Sequence, residues 1–157
     1  MRSENPQSVL VTGATGSVGS DLIQNLLAKP GLRLRALVRD PAKARALADR
    51  GVELATGSFE DPASLVAAMT GIDTLALITA AGAPAADQAA SAITAAKQAG
   101  VRKIVRLSAI KASADGPTDN TRQHGRTEKL PAPAASRNTR TLLRSASARG
   151  GIFAFLA

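Results

Sequence analysis

Three glycines at intervals of three residues follow the first apolar run of the chain. The run covers residues 8–12, and the glycines are Gly13, Gly16 and Gly19. Apolar positions then recur at helical intervals over residues 18–27, which predicts a tight turn between a buried strand and a helix. Such a turn brings backbone amides close to an anion. The chain should therefore be an α/β protein with a phosphate-binding turn near residue 13.

The rest of the first 110 residues alternates in the same way. Short apolar runs predict further strands, and Asp-Pro before each of two helical stretches, with Gly after it, predicts capped helices. The predicted strands are 8–12, 32–38, 52–56, 73–79 and 101–107, and the two capped helices lie between Asp40 and Gly51 and between Asp61 and Gly71. This alternation favours a doubly wound, mostly parallel sheet with helices on both faces, the Rossmann architecture.

The pattern weakens after residue 110. We expect a loop at 111–120, a short helix at 121–130 and one more strand at 139–144, whereas 131–138 reads as extended or disordered. The sequence therefore predicts an NAD(P)-binding domain at 7–130 and an aberrant or truncated basic segment at 131–157.

Composition excludes several classes of site. There is no cysteine, and His124 is the single histidine, so we expect no disulfide, no metal site and no obvious Ser-His-Asp triad. No apolar run is long enough for a signal peptide or a membrane helix, so we expect a cytoplasmic protein without membrane contact.

The net charge of +8 lies in the last third: residues 100–157 hold eleven Lys/Arg against three Asp/Glu, whereas residues 1–99 hold nine of each. A basic surface can bind nucleic acid, but the base-stacking aromatics and groove-reading motifs of such surfaces are missing. A solvated basic tail is the favoured interpretation. A protein partner for this segment stays open.

The glycine turn and the second strand define a dinucleotide site. Gly13 permits the sharp exit from the strand, Gly16 a close approach of the pyrophosphate and Gly19 tight helix packing, while Thr15 and Ser17 offer hydroxyl donors. Arg39 lies twenty residues beyond Gly19, where a guanidinium would pair with a 2′-phosphate. NADP(H) is therefore favoured over NAD(H). Asp40 remains an alternative as a ribose-binding acid, although it is better placed as a helix cap.

Six short segments resemble the NmrA-like branch of the atypical short-chain dehydrogenase/reductase superfamily. They are VTGATGSVG at 11–19, LVRDP at 37–41, GSFED at 57–61, DTL at 73–75, VRLSA at 105–109 and HGRTE at 124–128. The resemblance implies that Gly13, Thr15, Gly16, Val18 and Gly19 line the pyrophosphate and that Arg39 meets the adenosine phosphate. It also implies that Ser58 and Phe59 flank the adenine, and that Thr79, Ala80 and Ser108 lie along the ribose and nicotinamide.

The chain departs from this family in two respects. Members of the wider superfamily commonly use a Tyr with a Lys four residues on, but this chain has no tyrosine, and Asn120 and His124 stand at those positions. His124 is a weak catalytic candidate, because a lone histidine is more often a surface residue. Family members also continue into a substrate-covering lobe, which we expect to be missing here, as in a truncated or frame-disturbed reading of a longer gene.

Four functions are compatible with these features. The first is an NADPH-dependent oxidoreductase acting on a small acceptor such as a quinone, and the second is a non-catalytic NADP(H)-binding module for redox sensing or regulation. Nucleic-acid binding through residues 100–157 and a nonfunctional fragment follow in that order.

Overall fold

The computed structural model describes residues 6–80, 84–108 and 112–130, together with the backbone of residues 138–144. Within these residues, six strands and five helices follow one another in alternation, and a 3₁₀ turn at Pro41–Ala44 leads into the second helix. The strands are β1 Gln7–Val11, β2 Leu32–Val38, β3 Glu53–Thr56, β4 Thr74–Leu77, β5 Lys103–Ser108 and β6 Asn138–Arg144. The helices are α1 Ser17–Leu27, α2 Arg45–Ala48, α3 Pro62–Met69, α4 Ala85–Ala99 and α5 Asp119–Glu128.

The strands form one parallel sheet in the order β3-β2-β1-β4-β5-β6. The chain first moves outward from β1 to β3 and then returns to place β4 on the other side of β1. The connection after β1 therefore leads to one side of β1 in the sheet, and the connection after β4 leads to the other. In open parallel sheets, ligands bind in the crevice outside the carboxyl ends of the strands where the winding reverses.

Two apolar cores cover the two faces of the sheet. Val9 and Val11 point to one face and pack with Leu22, Ile23 and Leu26 of α1. Leu10, between them in the sequence, points to the other face, where α3 and α4 supply the core that includes Leu65, Met69, Ala92 and Ala96. Alternate residues of a strand face opposite sides, so strands buried on both sides must be apolar throughout. This explains why the strands appear in the sequence as short continuous apolar runs.

The predicted caps explain where two of the helical segments begin. Asp40 Oδ1 accepts a hydrogen bond from the amide of Ala42 at 3.0 Å, and Asp61 Oδ1 accepts from the amides of Ala63 and Ser64. In both cases a proline occupies the first turn, where its missing N–H costs nothing. The segment that Asp40 caps begins as a 3₁₀ turn rather than as an α-helix.

The predicted doubly wound fold is confirmed, with small shifts at element ends. The short helix expected at 121–130 begins two residues earlier, at Asp119, and the strand expected at 139–144 is β6. The sheet thus extends past residue 130, where the sequence analysis ended the NAD(P)-binding domain. Residues 131–137 and 145–157, expected to lack regular structure, lie outside the described residues. In the part of the chain that the structure describes, no helix has the length and apolarity needed to cross a membrane.

Candidate dinucleotide-binding site

The turn between β1 and α1 can be built only with glycine at two positions. Gly13 has φ +62°, and a Cβ there would lie 3.1 Å from the carbonyl oxygen of Ile78. A Cβ on Gly19 would fall on the carbonyl oxygen of Gly13, which would force the backbone to move. Gly19 thus packs α1 against the turn itself. The three-residue spacing of the glycines reflects this close contact between the helix and the strand exit.

The amino end of α1 lacks a side-chain cap in the described structure. Gly16 occupies the cap position without a side chain, and the first turn of α1 contains no acidic residue. Thr15, Gly16 and Ser17 are exposed to solvent. Unpaired amides and the positive end of the helix dipole make such a terminus an anion site. The turn is therefore open and suited to a diphosphate.

A cleft of about 580 Å³ begins at this turn and runs along the carboxyl edge of the sheet. It is bounded by the glycine turn, the ends of β2 and β4, the segment after β3 and one residue of α4. Its lining residues are Gly13, Ala14, Thr15, Leu37, Val38, Arg39, Asp40, Lys43, Gly57, Ser58, Phe59, Glu60, Ile78, Ala80 and Gln88. Both its position and its size fit a nucleotide rather than a metal ion.

The cleft contains half of the residues predicted for the coenzyme site. Gly13, Thr15, Arg39, Ser58, Phe59 and Ala80 line it. Gly16, Ser17, Val18 and Gly19 form the adjoining turn and first helical residues. Phe59 both lines the cleft and packs against the core under α3 and α4, so the two interpretations of this residue are compatible. Thr79 lies between two lining residues without belonging to the lining, and Ser108 lies outside it.

The wall beside β2 is charged. Arg39 and Lys43 line the cleft as exposed cations, and Asp40 and Glu60 line it as acids. The hydroxyl of Ser58 donates to Glu60 Oε2 at 2.7 Å, and this bond, with the backbone amide of Glu60, lowers the pKa of the Glu60 carboxyl. Asp40 serves as the cap of the 3₁₀ turn, the role that the sequence favoured.

Sequence reasoning missed several lining residues, of which Lys43 and Gln88 are the polar ones with most to offer a ligand. Lys43 lies four residues after Arg39, in the turn capped by Asp40. This short separation in the sequence could have predicted that Lys43 lies near Arg39. Gln88 comes from α4 and reaches the cleft through the tertiary fold, for which the sequence gives no local sign. Its Oε1 is buried without a hydrogen-bond partner.

Thr12 links the glycine turn to the far side of the cleft. Its hydroxyl donates to the carbonyl oxygen of Ile78 and accepts from the amide of Ile78, both at 2.8 Å. The side chain is fully buried. These two bonds extend the pairing of β1 and β4 beyond the ladder. The phosphate turn and the end of β4 are thereby held together at the point where the winding reverses.

A second polar group is buried between β5 and α5. Ser108 Oγ donates to Glu128 Oε1 at 2.6 Å, and Arg106 Nη2 lies 3.9 Å from the same oxygen. His124 is 8% exposed, and its burial, followed by the charge of Arg106, lowers the pKa of its imidazole, while Glu128 opposes this shift. Burial also lowers the pKa of Arg106. Ser108 Oγ therefore faces Glu128 of α5, and Ser108 is not among the residues that line the cleft.

His124, predicted as an exposed residue in the simpler interpretation, is buried in this polar group instead. No set of three His, Asp or Glu side chains able to hold a metal ion occurs among residues 6–80, 84–108 and 112–130.

The fold, the uncapped glycine turn and the cleft at the reversal of winding define a dinucleotide-binding protein of the Rossmann class. A family model described as NAD(P)H-binding matches residues 13–148. The chain belongs to this NAD(P)H-binding family, within the NmrA-like group that its sequence resembles.

Two relatives each match more than two thirds of this chain. The NAD(P)H azoreductase of Xenophilus azovorans is 42% identical over 109 residues, which are 69% of this chain and 38% of the relative. Quinone oxidoreductase 2 of Escherichia coli is 36% identical over 124 residues, or 78% of this chain and 43% of the relative. The chain thus spans about two fifths of the length of these relatives.

Solved structures give the same result. The NADPH complex of the E. coli quinone oxidoreductase superimposes with a TM-score of 0.71 at 36% identity, covering 77% of this chain and 43% of the other. The triphenylmethane reductase of Citrobacter sp. superimposes with a TM-score of 0.69 at 35% identity, again covering 77% and 43%.

Proposed function

We propose that this chain binds NADP(H) in preference to NAD(H) and forms the coenzyme-binding part of an NADPH-dependent reductase acting on a quinone-like acceptor. The observation that carries the coenzyme preference is the pair of cations, Arg39 and Lys43, on one wall of the cleft beside the glycine turn. A 2′-phosphate beside them would form charge-assisted hydrogen bonds, which a ribose hydroxyl cannot match. The two relatives named above reduce azo compounds and quinones, as their names state.

Three features of the chain would hold the coenzyme. The open amides of α1 would accept the diphosphate, the two cations the 2′-phosphate, and Phe59 a face of the adenine. Asp40 is already a helix cap, which supports Arg39 as the residue that meets the ribose substituent. NADPH supplies the hydride, while this chain contributes its binding and orientation.

Calorimetry of the full chain with NADPH and NADH tests the coenzyme preference. Arg39→Ala should weaken NADPH binding by about 1.5 to 3 kcal/mol, the range for a hydrogen bond to a charged group, and leave NADH nearly unchanged. Lys43→Ala should act in the same direction with a smaller effect. Arg33→Ala is the control, because Arg33 is an exposed arginine near the start of β2, the strand that Arg39 follows, and it lies against Glu53. Equal weakening of both coenzymes by Arg39→Ala would contradict the proposal.

A non-catalytic NADP(H)-binding regulator is the second candidate, and the absence of tyrosine from the sequence favours it. The two candidates differ in turnover. NADPH oxidation followed in the presence of several quinones should depend on both protein and quinone for a reductase. Tight NADPH binding without any quinone-dependent oxidation would favour the regulator.

A further inference from the structure

Helix α5 carries three polar side chains at intervals of one turn, and the last of them contacts β5. Asn120, His124 and Glu128 are each four residues apart, so they share one side of the helix. Arg106 and Ser108 extend from the face of β5 that also carries Ile104 in the core beneath α3 and α4. Hydrogen bonding and charge link the two elements, through Glu128 above all.

This polar group, formed by Arg106, Ser108, Asn120, His124 and Glu128, contains buried atoms without hydrogen-bond partners. Arg106 is 6% exposed, yet its Nη2 has no hydrogen-bond partner, because the nearest carboxylate oxygen lies at 3.9 Å and already accepts from Ser108. Asn120 Oδ1 is likewise buried without a partner. No hydrogen bond joins the imidazole of His124 to another side chain in the described residues. Burying such groups unpaired is costly, so a ligand atom that pairs with them would be stabilised.

The polar group lies near the carboxyl edge of the sheet, the same edge along which the cleft runs. Arg106 is paired in register with Leu77, the last residue of β4, and Ser108 follows two residues later. Ile78 and Ala80, which come directly after β4, line the coenzyme cleft. Since β4 and β5 are parallel neighbours, the carboxyl end of β5 lies beside the end of β4, on the side away from Arg39. An acceptor bound next to the end of β4 would therefore lie near the end of β5.

We propose that Arg106 and His124 form an oxyanion site for the acceptor, holding the oxygen that becomes negatively charged when hydride is transferred. This inference rests on the proposed reductase function and adds the residues that recognise the acceptor oxygen. Asn120 Oδ1 would accept from the hydroxyl that forms on that oxygen. Glu128 and Ser108 are positioning residues, since they act through Arg106 and His124.

The chemistry balances with water as the proton source. Reduction of a quinone to its hydroquinone requires one hydride, supplied by NADPH, and one proton. The anionic oxygen beside His124 favours protonation of the imidazole, which passes its proton to that oxygen and takes another from water. Arg106 stabilises the negative charge and exchanges no proton. The products are NADP⁺, the hydroquinone and one hydroxide ion, which the water that reprotonates His124 releases to solvent.

His124 provides a direct test, because the only histidine of the chain gives a single set of imidazole NMR signals. The probe is p-nitrophenolate, a stable phenolate the size of a one-ring quinone, added to the full chain with saturating NADP⁺. We expect the His124 C2–H signal to move on addition and the pKa of His124 to rise while the phenolate is bound. A signal unmoved at saturating probe would overturn the proposal.

Variants separate recognition by Arg106 from general positive charge. Arg106→Gln should weaken phenolate binding by roughly tenfold or more, Arg106→Lys should retain part of the affinity, and His124→Gln should weaken binding several-fold. Arg102→Gln is the matched control, since Arg102 is an exposed arginine just before the same strand, paired with Asp73, and should change nothing. Wild-type affinity in Arg106→Gln would refute the assignment. If Arg106→Gln fails to fold, Arg106→Lys and His124→Gln decide the outcome.

NADPH titration of the same samples distinguishes the two levels of inference. Wild-type protein that binds no NADPH would overturn the proposed function. Protein that binds NADPH normally, but whose His124 signal ignores the phenolate, would overturn the oxyanion site alone.

Discussion

The junction between β1 and β4 divides the sheet into two parts, the β1–β2 side and the β5–α5 side. Polar residues are exposed to solvent on the first and enclosed on the second. On the β1–β2 side, Thr15, Arg39 and Lys43 are exposed along an open cleft. On the β5–α5 side, Arg106 and His124 are enclosed, with a lowered pKa at each. Thr15, Arg39 and Lys43 come after the carboxyl ends of β1 and β2, whereas Arg106 lies within β5 and His124 on α5. The two sets therefore differ in position as well as in exposure.

The difference follows from what covers each strand end. After β1 the chain enters α1 through three glycines, which leave backbone amides uncovered. After β5 the chain returns through α5, which packs against α4 and sets Glu128 against Ser108 and Arg106 of β5. An exposed cation keeps its hydration until a ligand arrives, whereas a buried one has lost it already. The first side is thus suited to recognising phosphates, and the second to acting on a charge that develops during a reaction.

The largest effect is expected where the open side depends on close backbone packing. Gly19→Ala places a Cβ on the carbonyl oxygen of Gly13, and overpacking of this kind costs about 1 to 3 kcal/mol. We expect the upper end of that range, seen as a loss of NADPH affinity in calorimetry and a lower unfolding temperature. Ser20→Ala, one residue further along α1, should change either quantity by no more than about 0.5 kcal/mol. An unaltered affinity in Gly19→Ala would show that the turn can relax.

An intermediate effect is expected at the junction between the two sides. Thr12→Val keeps the shape of the side chain but leaves the amide and carbonyl of Ile78 without their buried partner, at a cost of about 1 to 3 kcal/mol. Urea unfolding measures this loss. Thr70→Val is the control, because Thr70 is exposed and its hydroxyl donates to the carbonyl oxygen of Val66 in the preceding helical turn. A loss no larger than that of the control would mean that the junction is held by the strand ladder alone.

The smallest effect is expected in the pH dependence of the unfolding free energy, through His124 on the β5–α5 side. Burial lowers the pKa of His124 below its ordinary 6.5, so the unfolded chain binds more protons as the pH falls. The stability associated with neutral His124 is therefore complete above pH 6.5 and is lost as the pH falls through 6.5 toward the folded pKa. His124→Gln should flatten the fall in unfolding free energy between about pH 7 and 5, measured by urea titration.

Asp73 supplies a control in a different pH window. Hydrogen bonds from Ser8, led by its backbone amide, lower the pKa of Asp73 below its ordinary 3.8. Its contribution to stability is complete above that value and is lost only in more acidic solution. Asp73→Asn should therefore leave the slope between pH 7 and 5 as in the wild type. Parallel slopes for wild type and His124→Gln would contradict a buried neutral imidazole.

The fold was predictable from sequence because its signals are local. Continuous apolar runs indicate strands buried on both faces, and Asp40 and Asp61 cap the segments that follow them, as the Asp-Pro pairs indicated. The helix at 119–128 was harder to delimit, since its side facing β5 carries polar residues and its cap is Thr118. A helix that buries polar groups gives no apolar stripe to detect.

The site was predictable only where one stretch of chain builds it. The glycine turn and Arg39 are each set by a few neighbouring residues, whereas Gln88 reaches the cleft from a helix nearly fifty residues after Arg39. Ser108 shows a different limitation. Residues 104, 106 and 108 share one face of β5, because every second residue of a strand points the same way. Only the packing of α5 shows that Ser108 on this face contacts Glu128.

The direction of β6 determines where this strand ends. Because β6 runs parallel to β5, Arg144 ends at the same rim of the sheet as Val11, Val38 and Leu77. The last residue of β6 thus lies on the rim that carries the nucleotide crevice, at the edge of the sheet opposite β3.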